Sequence, residues 1–182
     1  MTAQTERRSD DLGDEAGFGA VFDRHSRAVY NHAFRLTGSW SVAEDVTQAT
    51  FLLAWRKRGR VRLVDGSALP WLLVVAGNCA RTEHRSARRR RALLQRVPYE
   101  EERDPADDVA GRLDDERRMG AVLAAVRRLP RAEREAVQLC LWSGVSYAEA
   151  AAALGISEVS VRSRVSRARS RLTGILDLSE ER

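Results

Sequence analysis

Arg162, Ser163, Arg164 and Arg167 fall within one short stretch near the C-terminus, with Ser160 just ahead of them. A guanidinium keeps its charge and presents a planar fork that fits phosphate oxygens or the O6/N7 edge of guanine. Upstream, Trp71, Asn78, Arg81, Arg85 and Arg88 combine an aromatic surface, an amide and three cations. Stacking surfaces beside cations suit single-stranded bases, whose ring faces and phosphates are both exposed. Trp71 also suits a core position, and the run Arg88–Arg91 also suits a general phosphate clamp or a solvated face. The other chemistries are poorly represented. Cys79 and Cys140 stand far apart inside apolar patterns, and neither His25 nor His32 has an acid or thiol three or four residues on. That excludes a disulfide framework and a metal cluster. No phosphate loop, nucleophile elbow or close acid pair is present, so the chain reads as no enzyme and needs no cofactor.

The elements that must position these residues are helical. Phe18, Val21, Phe22, His25, Val29, Ala33 and Leu36 recur at three- and four-residue steps, with Gly38 placed to end the helix. Ser41-Val-Ala-Glu44 reads as a capping box opening a second helix that ends near Arg58-Gly59. Asp65-Gly66-Ser67 marks a turn inside the loop 60–67. A long helix from about Ala68 to Leu94 follows, with Pro70 tolerated in its first turn. Further on, Pro130 opens a helix to about Trp142, and Gly144 breaks it. Ser146-Tyr-Ala-Glu149 is a second capping box, and Ser157 caps a last helix to about Leu172. There Val161, Val165, Ala168 and Leu172 form the buried stripe, which leaves the arginines outward. Helix, short glycine turn, helix is the arrangement of a helix-turn-helix. The fold class is all-α.

Charge is sorted along the 182 residues behind a net +5 and a pI near 10.0. Lys57 is the only lysine, so arginine carries the basic character. Such a bias fits a nucleic-acid partner, and equally a GC-rich genome. Residues 81–96 hold seven arginines against Glu83, residues 99–116 hold nine acids against Arg103 and Arg112, and residues 157–172 hold five arginines against Glu158. The acidic stretch, with Pro98 and Pro105, has too little apolar surface to offset its ordering entropy. The expected organisation is therefore a disordered tail (1–16), a helical domain (17–96), an acidic flexible linker (97–118), a helix-turn-helix domain (119–173) and a C-terminal tail (174–182). No apolar run approaches the roughly 18 residues of a membrane span, and Met1–Glu15 lacks a secretion signal. A cytoplasmic location with no membrane insertion follows.

Three segments carry a family resemblance. Ala43-Glu-Asp-Val-Thr-Gln-Ala-Thr-Phe-Leu-Leu-Ala-Trp55 resembles the polymerase-binding segment of bacterial sigma factors of the extracytoplasmic-function (ECF) group. Pro70-Trp-Leu-Leu-Val-Val-Ala-Gly-Asn-Cys-Ala-Arg81 is similar to their promoter-melting helix. Leu129-Pro-Arg-Ala-Glu-Arg-Glu-Ala-Val137, Gly144-Val-Ser-Tyr-Ala-Glu-Ala-Ala151 and Val161-Arg-Ser-Arg-Val-Ser-Arg-Ala-Arg169 resemble their C-terminal domain. The likeness covers about residues 18–92 and 120–172, in the family's order.

The resemblance implies a non-catalytic initiation factor that binds core RNA polymerase. Asp45 and Gln48 would face the clamp coiled coil of the largest subunit, with Phe51 and Trp55 supporting them from the core. Ala49 stands where members usually carry an acid. Asp65, Ser67, Trp71, Asn78, Arg81, Arg85 and Arg88 would meet the opened −10 strand. Ser160, Arg162, Ser163, Arg164 and Arg167 would read the −35 duplex, beside the polymerase flap. Promoter DNA is the second partner, and a cognate anti-sigma factor covering both domains is a third that many members have. The alternative is a helix-turn-helix regulator acting without polymerase, which leaves Asp45 and Gln48 without a role.

Overall fold

The computed structural model describes residues 9–94 and 109–180, and among these the only β pairing is an isolated bridge. Helix α1 (Glu15–Thr37) starts where Asp14 accepts the Gly17 amide at 2.8 Å and ends at Gly38, whose φ of 71° lies in the left-handed region. Gly38 has a second reason to be glycine. A Cβ there would stand 2.9 Å from Leu123 Cδ1, so that buried side chain would have to shift. Helix α3 (Leu69–Leu94) keeps Pro70 in its first turn and runs unbroken through Val74 and Val75.

Helix α2 (Trp40–Arg56) departs from the expected start. Ser41 already lies inside the helix, and the capping box with Glu44 does not form. Trp40 stacks on Phe34, with ring centroids 3.6 Å apart and planes within 8°, which holds it in the first turn. The orphan amide of Trp40 donates instead to Glu116 Oε1 at 2.9 Å. A remote acid has taken over the task of a local serine.

Glu116 belongs to helix α4 (Val109–Arg127), so residues 109–118 of the expected linker are helical, and the rest of it lies outside the described residues. Tertiary contact supplies what local composition lacked, because α4 docks its Leu123 and Met119 against the end of α1. The expected N-terminal tail is corrected in the same way for residues 9–16. Leu12 is buried, and so is Asp10, with 5% exposure. The Asp10 carboxylate accepts from Arg24, from His25 Nε2 at 2.7 Å and from the Ala68 amide at 2.7 Å, while its own amide donates to Gly66 O at 2.7 Å. Residues 174–180 of the expected C-terminal tail continue the last helix.

The second domain continues with α5 (Arg131–Val137), which widens into a π-helical stretch, Gln138–Trp142. Gly144, at φ 68°, turns the chain into α6 (Tyr147–Leu154), opened by the Ser146–Glu149 capping box. Ser157 Oγ then accepts the Ser160 amide at 3.2 Å and starts α7 (Glu158–Glu180). Val161, Val165 and Ala168 are buried as the stripe requires.

One apolar cluster spans both domains, beside a smaller one of Val126, Leu129, Val137 and Ala168 within the second. Leu72, Leu73 and Ala76 of α3 belong to the same cluster as Leu139, Val145, Ala150 and Val161 of the second domain. Polar contacts reinforce the junction. His32 Nδ1 and Ser143 Oγ are hydrogen-bonded at 2.6 Å, and Arg35 donates to the Trp142 carbonyl. Burial, assisted by the Arg35 charge and opposed by a hydrogen bond to the Leu73 backbone, lowers the His32 pKa to about 4.

Two stability predictions follow from these buried groups. Asp10→Ala strands a buried imidazole and a buried amide, and is expected to cost about 3–5 kcal/mol in urea unfolding, more than any alanine change at an exposed acid. His32 stays neutral when folded but takes a proton when unfolded near pH 6.5. Its contribution is complete above pH 6.5 and is lost as the pH falls toward 4, by about 3 kcal/mol. His32→Gln should flatten the pH dependence of the urea midpoint between pH 7 and 4 by about that amount.

Candidate nucleic-acid interface

The face of α2 opposite the core presents Asp45, Gln48 and Leu52, one helical stripe at steps of three and four, and all three are exposed. Gln48 Nε2 reaches Glu44 at 3.4 Å, and Leu52 is 52% exposed. Under this stripe the aromatics interlock: Phe51 meets Phe18 and Phe22 edge-on, and Trp55 meets Phe18 at 5.1 Å. Phe51 is buried and Trp55 half-buried, so both brace the face from behind. Leu52 was missed in the sequence because an apolar residue on a helix is ordinarily assigned to its core side.

The loop before α3 is a two-residue hairpin turn. Val64 and Ser67 exchange both backbone hydrogen bonds at 2.9 Å around Asp65 (φ 50°) and Gly66 (φ 74°), the positive pair that a type I′ turn needs. Asp65 is exposed, whereas Ser67 Oγ accepts the Leu69 amide at 3.2 Å and so helps start α3. Along α3, Trp71, Asn78 and Arg85 repeat every seven residues on one side, Trp71 half-buried and the other two exposed. The helix continues through Arg88, whose side chain lies outside the description.

Arg81 is held elsewhere. Its guanidinium bonds Asn78 Oδ1 and forms a 2.9 Å ion pair with Glu135 of the second domain, which Arg131 also contacts at 3.0 Å. Partial burial lowers the Arg81 pKa, and the Glu135 charge opposes that shift. Arg81 and Glu135 border a small cleft between the domains, with His32, Leu73, Gly77 and Leu139. The acid that occupies a predicted nucleic-acid contact lies 54 residues away in sequence, so no local pattern announced it.

On α7 the predicted residues divide by position. Ser163 is exposed and Arg164 half-buried. Arg162 is pre-positioned, its guanidinium paired with Glu158 at 3.1 Å and lying 5.6 Å from the centroid of the Tyr147 ring. Arg167 and Arg171 approach the two oxygens of Glu133 at 3.5 and 3.1 Å, and Glu133 is itself buried on α5. Ser160 serves the helix start, its hydroxyl 2.8 Å from Ser157 Oγ. Tyr147 and Glu133 thus emerge as positioning residues that spacing alone did not single out.

Burial raises the pKa of both thiols, Cys140 to about 11, with a Thr50 hydrogen bond partly opposing the shift at Cys79. Among the described residues no group of three or more His, Cys, Asp or Glu side chains is placed to hold a metal ion. No described helix is long and apolar enough to cross a membrane.

Comparison with known proteins agrees with this layout. Residues 21–90 match the family model for sigma-70 region 2, and residues 119–172 that for sigma-70 region 4. The RNA polymerase sigma factor NccH of Alcaligenes xylosoxydans xylosoxydans is 32% identical, over 92% of this chain and 91% of its own length. The ECF RNA polymerase sigma factor SigL of Mycobacterium tuberculosis is 34% identical, over 80% and 81% respectively. Among solved structures, CnrH in complex with the cytosolic domain of CnrY superposes with a TM-score of 0.62 at 27% identity, covering 91% of each chain. RpoE of Bartonella quintana, solved with the anti-sigma factor NepR, gives 0.59 at 30% identity, over 88% of this chain and 96% of that one. With both sigma-70 regions matched in order along a chain whose described elements are helices, the protein belongs to the sigma-70 family as an ECF RNA polymerase sigma factor.

Proposed function

We propose that the chain works as a non-enzymatic initiation factor in the cytoplasm, where it binds core RNA polymerase through the α2 face of Asp45, Gln48 and Leu52. The −35 element is read as duplex by the N-terminal part of α7, with Arg162 forked on a guanine edge, Ser163 beside it, and Arg164 and Arg167 on bases or phosphates. The −10 element is captured as opened strand along Trp71, Asn78 and Arg85, with Asp65 at the tip of the adjoining turn. The observation that carries this reading is the exposed α2 stripe in the same chain as the arginine-faced α7. A regulator acting without polymerase has no use for the former. By the analogy of the CnrH and RpoE complexes, an anti-sigma factor is a further partner.

The shared core constrains the mechanism. The two promoter elements lie about 25 base pairs apart, or about 85 Å at ~3.4 Å per step. A folded chain of this length is roughly 40 Å across when compact. One molecule therefore cannot read both elements while α3 is packed against the second domain. Opening must break the Arg81–Glu135 pair and return Arg81 to the −10 face, where a phosphate replaces the carboxylate. The closed form thus withholds one −10 contact until the second domain moves away.

Reconstitution with core polymerase and promoter DNA tests the assignment. Specific initiation is expected, and failure to form a complex with core would leave only the polymerase-independent regulator. Arg162→Ala should weaken −35 binding by about 1–3 kcal/mol without changing core affinity, while Asp45→Ala should do the reverse. For the opening step, fluorophores at exposed positions 56 and 173 should report a large increase in separation when holoenzyme engages the promoter. An unchanged transfer efficiency would count against domain separation.

A further inference from the structure

Val159 has no structural use that its surroundings reveal. It is 76% exposed, the most exposed large hydrophobic side chain among the described residues, and it sits in the first turn of α7. A β-branched side chain there loses rotamer freedom and buries almost nothing, so neither helix propensity nor packing accounts for it. Its placement is more informative. With Val161, Val165 and Ala168 turned into the core, Val159 and Ser163 share the opposite face, four residues apart. Val159, Ser160, Ser163, Arg164 and Arg167 line an open depression of about 350 Å³. Val159 is the one apolar side chain in this polar depression of hydroxyls and guanidiniums, on the part of a recognition helix that reaches base edges.

We infer that Val159 reads the 5-methyl group of a thymine in the −35 duplex, which makes it a specificity-determining residue. Only thymine presents a methyl in the major groove, and only an apolar side chain profits from covering it. Arginines on either side supply the attraction to phosphate that seats the helix, and serines supply hydrogen bonds. Neither can tell thymine from uracil, which differs from it only in lacking the methyl. Val159 is stiff at χ1, so its two methyl groups are already ordered before contact. This inference rests on the assignment of α7 as the −35 reader.

The test uses holoenzyme assembled from the full chain and core polymerase. Duplexes selected by wild-type holoenzyme from a randomised −35 pool should hold an A·T pair at one fixed position, and selection by Val159→Ala should relax that position alone. Replacing the selected thymine with deoxyuridine removes only the methyl, and should lower wild-type affinity about fourfold, the worth of one apolar carbon. Val159→Ala should lose about the same factor on the thymine duplex and be indifferent to the deoxyuridine exchange. Alanine is the better helix former, so the variant should fold, which circular dichroism would check. The inference is overturned if deoxyuridine exchange leaves wild-type affinity unchanged, if Val159→Ala stays equally sensitive to it, or if the variant weakens all sequences alike. Arg162→Ala run alongside separates two failures. Sequence-specific loss with Arg162→Ala but no methyl effect refutes the Val159 role alone, whereas no sequence-specific binding by wild type refutes the −35 assignment and the inference together.

Discussion

A single buried carboxylate holds the N-terminal domain in register. Asp10 accepts from Arg24 and His25 on α1 and from the Ala68 amide at the head of α3, while its backbone fixes the Gly66 turn. A buried charge is tolerable only when donors surround it, and here they come from two separate segments, α1 and the head of α3. One group therefore sets where α3 begins, how it meets α1, and where the Asp65 turn points. The proposed −10 surface inherits its geometry from a residue that touches none of it.

Acids recur in this supporting role. Glu116 completes the start of α2, Glu133 holds Arg167 and Arg171, Glu135 holds Arg81, and Glu158 holds Arg162. Each carboxylate faces a group that would otherwise be an unsatisfied donor or a loose cation. An arginine bound in advance loses less freedom when it meets a phosphate or guanine, though it must first leave its internal partner. Among the described residues, these acids stand where the cations need orienting.

Much of the fold was legible in the sequence. The end of α1, the extent of α3 and the start of α6 followed from Gly38, from apolar periodicity and from the Ser146–Glu149 box, because these devices act within a turn or two of chain. The start of α2 did not follow, since Trp40 answers to Phe34 and Glu116 rather than to Ser41. Asp10 and Leu12 looked like tail because a short polar segment carries no periodicity. Their burial depends on a pocket built by residues far along the chain.

For function, the sequence by itself determined the all-helical class and the family and supplied the three proposed residue sets, since motif spacing and sorted charge survive without coordinates. Tertiary structure decided which members of those sets are available. Asn78 and Arg85 stand exposed while Arg81 is tied across the domain junction, Ser160 is taken up by the cap, and Leu52 and Val159 face solvent instead of core. The physical reason is range. Helix formation and amphipathic pattern are written within a few residues, whereas an ion pair or an exposed face depends on which distant segment packs alongside, and only the folded chain specifies that.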